Sequence, residues 1–236
     1  KVITLLISVL SPFFKCFLYK KAAADWFHIT GITPALSDNL EQICLEAVKA
    51  AKKHGVTVSL DTNYRSKLWS IKKASRVIGE LMRYTDICIT NPGDIKDLFG
   101  IVSDKADFDL KKPDNEGAAS VAEKLMKRYP LKGAALTLRT NLSASDNDFG
   151  AMLCDGEATV FSRKYRMHIA DRVGGGDAFA AGLIYSLLKQ KAPQDAVEFA
   201  TAAAVLKHSI EGDFNRVAAA EVENLAGGDG SGRVQR

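Results

Sequence analysis

The chain has 236 residues, 47% hydrophobic and 25% charged, enough to bury a sizeable core as one large domain or two small ones. Its 32 basic and 28 acidic residues leave a net charge of +4, scattered along the chain, which makes no case for nucleic acid and suits a small anionic substrate. Cys16, Cys44, Cys88 and Cys154 lie far apart with no C-x-x-C pair and no histidine at ligand spacing, so a reduced, cytoplasmic protein without structural zinc is expected.

Residues 1–21 differ from the rest of the chain. Val2 to Leu10 is nearly all apolar, and Ser11-Pro12, Phe13-Phe14 and Lys20-Lys21 come after it. A signal segment has an apolar region of this length, but there is no evident small-residue cleavage site, and Lys15 interrupts the run too early for a span of about twenty apolar residues. The segment reads as a broken beginning holding a strand out of context, and membrane association is not expected. Residues 22–226 are the expected globular domain. The Gly/Ser-rich stretch 227–236 is expected to fray.

Within that domain, short apolar runs alternate with amphipathic segments. Asp25 to Gly31 reads as a strand ending in a glycine turn. Ser37-Asp38 then caps a helix, with Glu41 placed as in a capping box and Leu40, Ile43, Cys44, Ala47 and Ala51 on one face. Gly55 ends that helix, and Val56 to Leu60 is the next strand. A helix over 73–83, a strand over 86–90, a helix over 116–129 and a strand over 133–138 come next. This alternation predicts an α/β fold with a mostly parallel sheet covered on both faces. Ala151 to Cys154 and Thr159 to Phe161 read as a strand pair, and an alanine-rich helix is predicted over 193–210.

In such a sheet, ligands gather beyond the carboxyl ends of the strands. After Leu60 stands Asp61-Thr62-Asn63-Tyr64-Arg65, where Asp61, Asn63 and Arg65 either point polar groups into one crevice or form a strand-end turn. After Thr90, Asn91-Pro92-Gly93-Asp94 reads as a turn, or as an amide and a carboxylate near a hydrated magnesium ion. Arg139 to Asn147 reads as a polar loop suited to phosphates or ribose. Lys207 and His208 read most simply as a solvated helix end.

The most informative stretch is Asp171-Arg172-Val173-Gly174-Gly175-Gly176-Asp177, leading into a small and apolar helix. Its glycines allow a sharp turn and close approach to a ligand, and the helix start offers free N–H groups and a positive dipole end. Asp177 beside such an anion site suits a base that takes a proton from an attacking hydroxyl, although aspartate is also a common cap. There is no G-x-x-x-x-G-K-[ST] motif, and Phe179 stands where a dinucleotide fingerprint requires its third glycine.

Together with Asp61 to Trp69 and Asn141 to Asp148, this stretch resembles the PfkB, or ribokinase-like, carbohydrate kinases, and within them the branch that phosphorylates 2-keto-3-deoxygluconate. Arg172 departs from the general family signature, which prefers a small or β-branched residue there, but fits that branch. The resemblance implies a three-layer α/β/α fold whose amino-terminal strands and β-lid have no counterpart before Asp25. It implies ATP with Mg2+, and a small acid sugar as the other substrate. Asp177 would deprotonate the sugar's primary hydroxyl, and Gly174, Gly175 and Gly176 would surround the γ-phosphate. Arg65, with Asp61 and Asn63, would bind the sugar, and Asn91 and Asp94 would act on magnesium through water or phosphate. Arg139, Ser143 and Ser145 would lie near ATP, and Ala203 and Lys207 would line the adenine pocket. Family lids often pair, so a homodimer would be weakened without one. Two alternatives stay open: a non-catalytic nucleotide- or sugar-binding remnant, and a kinase for another sugar such as fructose or ribose.

Overall fold

The strands form where β-branched, aromatic and other apolar residues run unbroken. In this computed structural model, which describes residues 2–4 and 24–228, the chain divides into two units. The first holds the chain to Asp104 together with Ser120–Ala135. Strands β1 (Val2–Thr4), β2 (Trp26–Thr30), β3 (Thr57–Asp61) and β4 (Ile87–Thr90) lie parallel, with Val2 opposite Trp26, Phe27 opposite Val58 and Leu60 opposite Cys88. Strands β2, β3 and β4 are buried along almost their whole length, as parallel strands covered on both faces require. Two polar side chains in that core, Trp26 and His28, share one partner. Trp26 Nε1 donates to Ser59 Oγ at 2.8 Å, and His28 Nδ1 lies 2.7 Å from the same oxygen. The indole can only donate, so Ser59 Oγ accepts from it, and the proton shared between Ser59 and His28 follows the imidazole tautomer.

The connecting helices are α1 (Ile32–Ala35), α2 (Asp38–Lys53), α3 (Ile71–Met82), α4 (Pro92–Phe99) and α5 (Asn115–Arg128). Helix α2 buries Cys44, Ala47, Val48 and Ala51, close to the predicted face. Its cap is Ser37, which accepts from Leu40 N at 3.2 Å. Glu41 therefore lies one residue past the capping-box position, and it receives Arg76 at 2.8 and 3.1 Å instead. The turn reading of Asn91-Pro92-Gly93-Asp94 is corrected: these residues start α4. Asn91 accepts from Asp94 N at 2.9 Å, proline occupies the first turn where its missing N–H costs nothing, and Gly100 closes the helix at φ 66°.

The second unit holds Lys105–Ala119 and the chain from Leu136 onward. Strand β5 (Gly133–Asn141) continues into β6 (Asp146–Cys154), so the polar loop expected over 139–147 is a hairpin tip of only a few residues. Leu142 N and Ser143 N both donate to Asp146 O, at 2.9 and 3.0 Å. Strand β6 pairs antiparallel with β7 (Thr159–Phe161) and β8 (Tyr165–His168). Helix α6 (Gly175–Leu188) packs on α7 (Pro193–His208), where Gly182 brings the backbone up to Ala200, and α8 (Ala219–Ala226) adds Val222 to the cluster of Phe199, Ala202 and Ala203.

Cys44, Cys88 and Cys154 are buried and free. No helix among the described residues is long and apolar enough to cross a membrane. The broken beginning expected at 1–21 lies outside the described residues except for β1, and the frayed tail lies outside them beyond Gly228.

Candidate active site

In the second unit, two of the three glycines, Gly174 and Gly175, are required, each for a different reason. Gly174 caps α6 at φ 80°, a left-handed backbone that side chains disfavour, and a Cβ there would strike the carbonyl of Asp213. Gly175 is buried, and a Cβ on it would run into the His208 imidazole. Gly176 meets nothing within 4 Å, so open space lies in front of its backbone. The first turn of a helix leaves its N–H groups without helical acceptors, and here they include those of Gly176 and Asp177. Asp177 is exposed, and its carboxylate makes no hydrogen bond or ion pair among the described residues.

The turn is held from several sides. Asp171 Oδ1 accepts from Val173 N and Oδ2 from Gly212 N, both at 2.9 Å. These two hydrogen bonds hold its carboxyl below the usual carboxylate range. Arg172 donates to Ala144 O at 2.6 Å, which ties the hairpin tip to the turn.

His208 and Lys207 correct the expectation of a solvated helix end. His208 is 3% exposed and Lys207 is 0% exposed. His208 Nδ1 lies 2.6 Å from Ala204 O, and its backbone carbonyl accepts from Ala170 N at 2.8 Å. Burial lowers its pKa, and the nearby charges of Arg139, Lys207 and Arg172 lower it further, against the bond to Ala204. The ring beneath Gly175 therefore sits in a positive surrounding.

The remaining residues expected along ATP divide. Arg139 is exposed on β5. The Ser143 hydroxyl donates to Asp146 at 2.8 Å and accepts from Ser145 N and Asp146 N, so it shapes the tip. Ser145 gives its carbonyl to Ile169 N at 2.7 Å. Ala203 is packed among Phe199, Ala202 and Val222 and presents little side chain to any ligand.

In the first unit, the ends of β2, β3 and β4 are tied by side chains. Asn63, at φ 37°, donates through its amide to Thr30 Oγ1 at 3.1 Å, and its N–H donates to Asp61 Oδ1 at 3.1 Å. Asp94 Oδ2 accepts from Thr62 Oγ1 at 3.0 Å and Tyr64 N at 3.1 Å. The crevice residues thus largely hold one another. Arg65 is the exception: it is exposed, and among the described residues its guanidinium donates only to its neighbour's carbonyl, Tyr64 O, at 3.1 Å. With Asp94 committed to Thr62 and Tyr64, and the Asn91 oxygen to the start of α4, the pair does not fit a direct magnesium site. No group of three His, Cys, Asp or Glu residues among the described residues is arranged to hold a metal ion.

Sequence reasoning missed His208 as the support of Gly175 and Thr30 as the partner of Asn63. The only signals were a histidine as the last residue of a helix and a threonine at a strand terminus.

A mostly parallel α/β fold, with a glycine turn leading into a helix that carries a carboxylate on its first turn, defines a protein of the ribokinase-like kind. The chain belongs to the pfkB family of carbohydrate kinases, whose model matches residues 17–215. It is 28% identical over 204 residues to the 2-dehydro-3-deoxygalactonokinase of Haloferax volcanii, covering 86% of this chain and 58% of that one. A solved 2-dehydro-3-deoxygluconokinase from Thermotoga maritima is 41% identical with a TM-score of 0.81, over 87% of this chain and 61% of that one. At 18% identity and a TM-score of 0.66, a putative ribokinase II from E. coli, solved in complex with ATP and Mg2+, shares the fold over 85% of this chain and 58% of its own. The chain thus spans about three fifths of the length of these relatives.

Proposed function

We propose that this chain carries out the phosphoryl transfer of an acid-sugar kinase, moving the γ-phosphoryl group of ATP to the primary hydroxyl of 2-keto-3-deoxygluconate. The observation that carries this reading is the Gly174–Asp177 turn: a backbone open at Gly176, a helix start, and an unengaged carboxylate beside it. Asp177 takes the hydroxyl proton as the sugar oxygen bonds to the γ-phosphorus. The bond from that phosphorus to the bridging oxygen breaks, and ADP leaves. The N–H groups of the turn face the charge spread over the phosphoryl oxygens, where preorganised donors lower the barrier most. Magnesium, bound to the phosphates of the nucleotide, would neutralise part of that charge.

Arg65 favours an acid sugar. A planar guanidinium not engaged by any acid among the described residues suits a substrate carboxylate and has no use for a neutral sugar such as fructose or ribose. The names of the relatives support the same substrate class, with two sugar configurations represented among them.

The test is release of ADP from ATP, at fixed magnesium, with and without 2-keto-3-deoxygluconate. Sugar-dependent release is expected. Release that ignores the sugar sinks the substrate assignment, and no release with intact ATP binding favours a non-catalytic nucleotide binder.

A further inference from the structure

Lys207 is the charged residue this fold explains least. It is 0% exposed on the last turn of α7, and Cε lies 3.2 Å from where a Cβ on Gly174 would stand. Its ammonium donates to Ile210 O at 3.0 Å, and no carboxylate among the described residues comes within ion-pair distance. Asp171 feels its charge from farther off, but that carboxylate is already held by Val173 N and Gly212 N. Arg139 and Arg172 add positive charge around the same ring of His208 rather than cancelling it. Burying a charge with only a neutral carbonyl as partner costs stability, and an apolar side chain of similar size would fit without that penalty.

We infer that the missing counterion is the phosphate chain of the bound nucleotide, and that Lys207 is a positioning residue holding positive charge behind the Gly174 turn. This rests on the phosphoryl-transfer reading above. Lys207 is fully buried and its ammonium is bonded to Ile210 O, so it acts through the field and through the backbone it supports. The effect belongs to the phosphates and not to the base or ribose, which sets it apart from the adenine-lining role the resemblance implied. The buried charge is then a stability cost retained for binding.

Calorimetric titration of the wild type, Lys207→Met and Lys207→Gln with tripolyphosphate, ATP and adenosine tests this, alongside thermal melting. Lys207→Gln keeps a donor for Ile210 O and serves if the Met variant does not fold. Tripolyphosphate and ATP should bind roughly ten- to a hundredfold more weakly to the variants, the range a unit charge several ångströms away produces at an effective dielectric of about 20. Adenosine affinity should not change, and Lys207→Met should melt no lower than the wild type. Unchanged phosphate binding in the variants overturns the inference, as does an equal loss for all three ligands. A wild type that binds neither ATP nor tripolyphosphate instead overturns the phosphoryl-transfer reading, and the inference with it.

Discussion

Gly175→Ala probes the support beneath the glycine turn. The added methyl would overlap the His208 ring. That ring has little freedom to move aside, because Nδ1 is bonded to Ala204 O at 2.6 Å and one face lies 5.8 Å, centroid to centroid, from Phe149. Overpacking a fixed ring costs about 1–3 kcal/mol. His208→Ser alone leaves a cavity and removes the ring's hydrogen bond to Ala204 O, with a cost of similar size. In the double variant the methyl enters the space the ring has left, so the two costs should not add, and a coupling of about 1–2 kcal/mol is expected. Urea denaturation of the four proteins measures it, and ATP binding by the same set reports whether the turn has shifted. Simple additivity would refute the reasoning, because it would mean that the ring does not fill the space beside Gly175.

Asp177→Asn should leave ATP binding nearly intact and lower turnover by two orders of magnitude or more, and full turnover would rule Asp177 out as the base. Arg65→Ala should raise the KM for 2-keto-3-deoxygluconate about tenfold or more while leaving ATP affinity unchanged, and an unaltered sugar KM would remove Arg65 from the substrate site. His28 predicts an acid sensitivity of known sign. Burial lowers its pKa from 6.5 to about 4, so the unfolded chain binds the extra proton across that window and stability falls as pH drops from 6.5 towards 4. Between pH 7.5 and 4.5 the loss from this residue is about 2.5 kcal/mol, measured as the difference in denaturation between wild type and His28→Gln, and equal pH slopes for the two would count against it.

Much of the first unit can be read from the chain because its signals are local. Each buried parallel strand carries apolar residues at its centre, such as Val58 and Leu60 in β3 and Ile87 and Ile89 in β4, and Gly55 marks the end of α2 wherever the helix packs. The polar hairpin tip reads as a long loop because strand residues such as Arg139 and Asn141 are exposed, so hydrophobic alternation fades before pairing ends. Helix α4 is legible in principle: Asn, Pro and Asp at successive capping positions carry a helix-start meaning as well as a turn meaning.

The site divides along the same line. Glycine conformations and the place of Asp177 at a helix start depend on residues adjacent in sequence, so the chain alone determined that a glycine turn leading into a helix start, with a carboxylate on its first turn, stands at Gly174–Asp177. Which side of that turn is open, and what lies beneath it, depended on α7 returning from some thirty residues away to bring His208 against Gly175 and Lys207 behind Gly174. Whether Lys207 faces water or protein is a matter of packing between distant segments, and no local pattern carries it. Only the tertiary structure could turn a helix end expected to be solvated into the buried floor of the site.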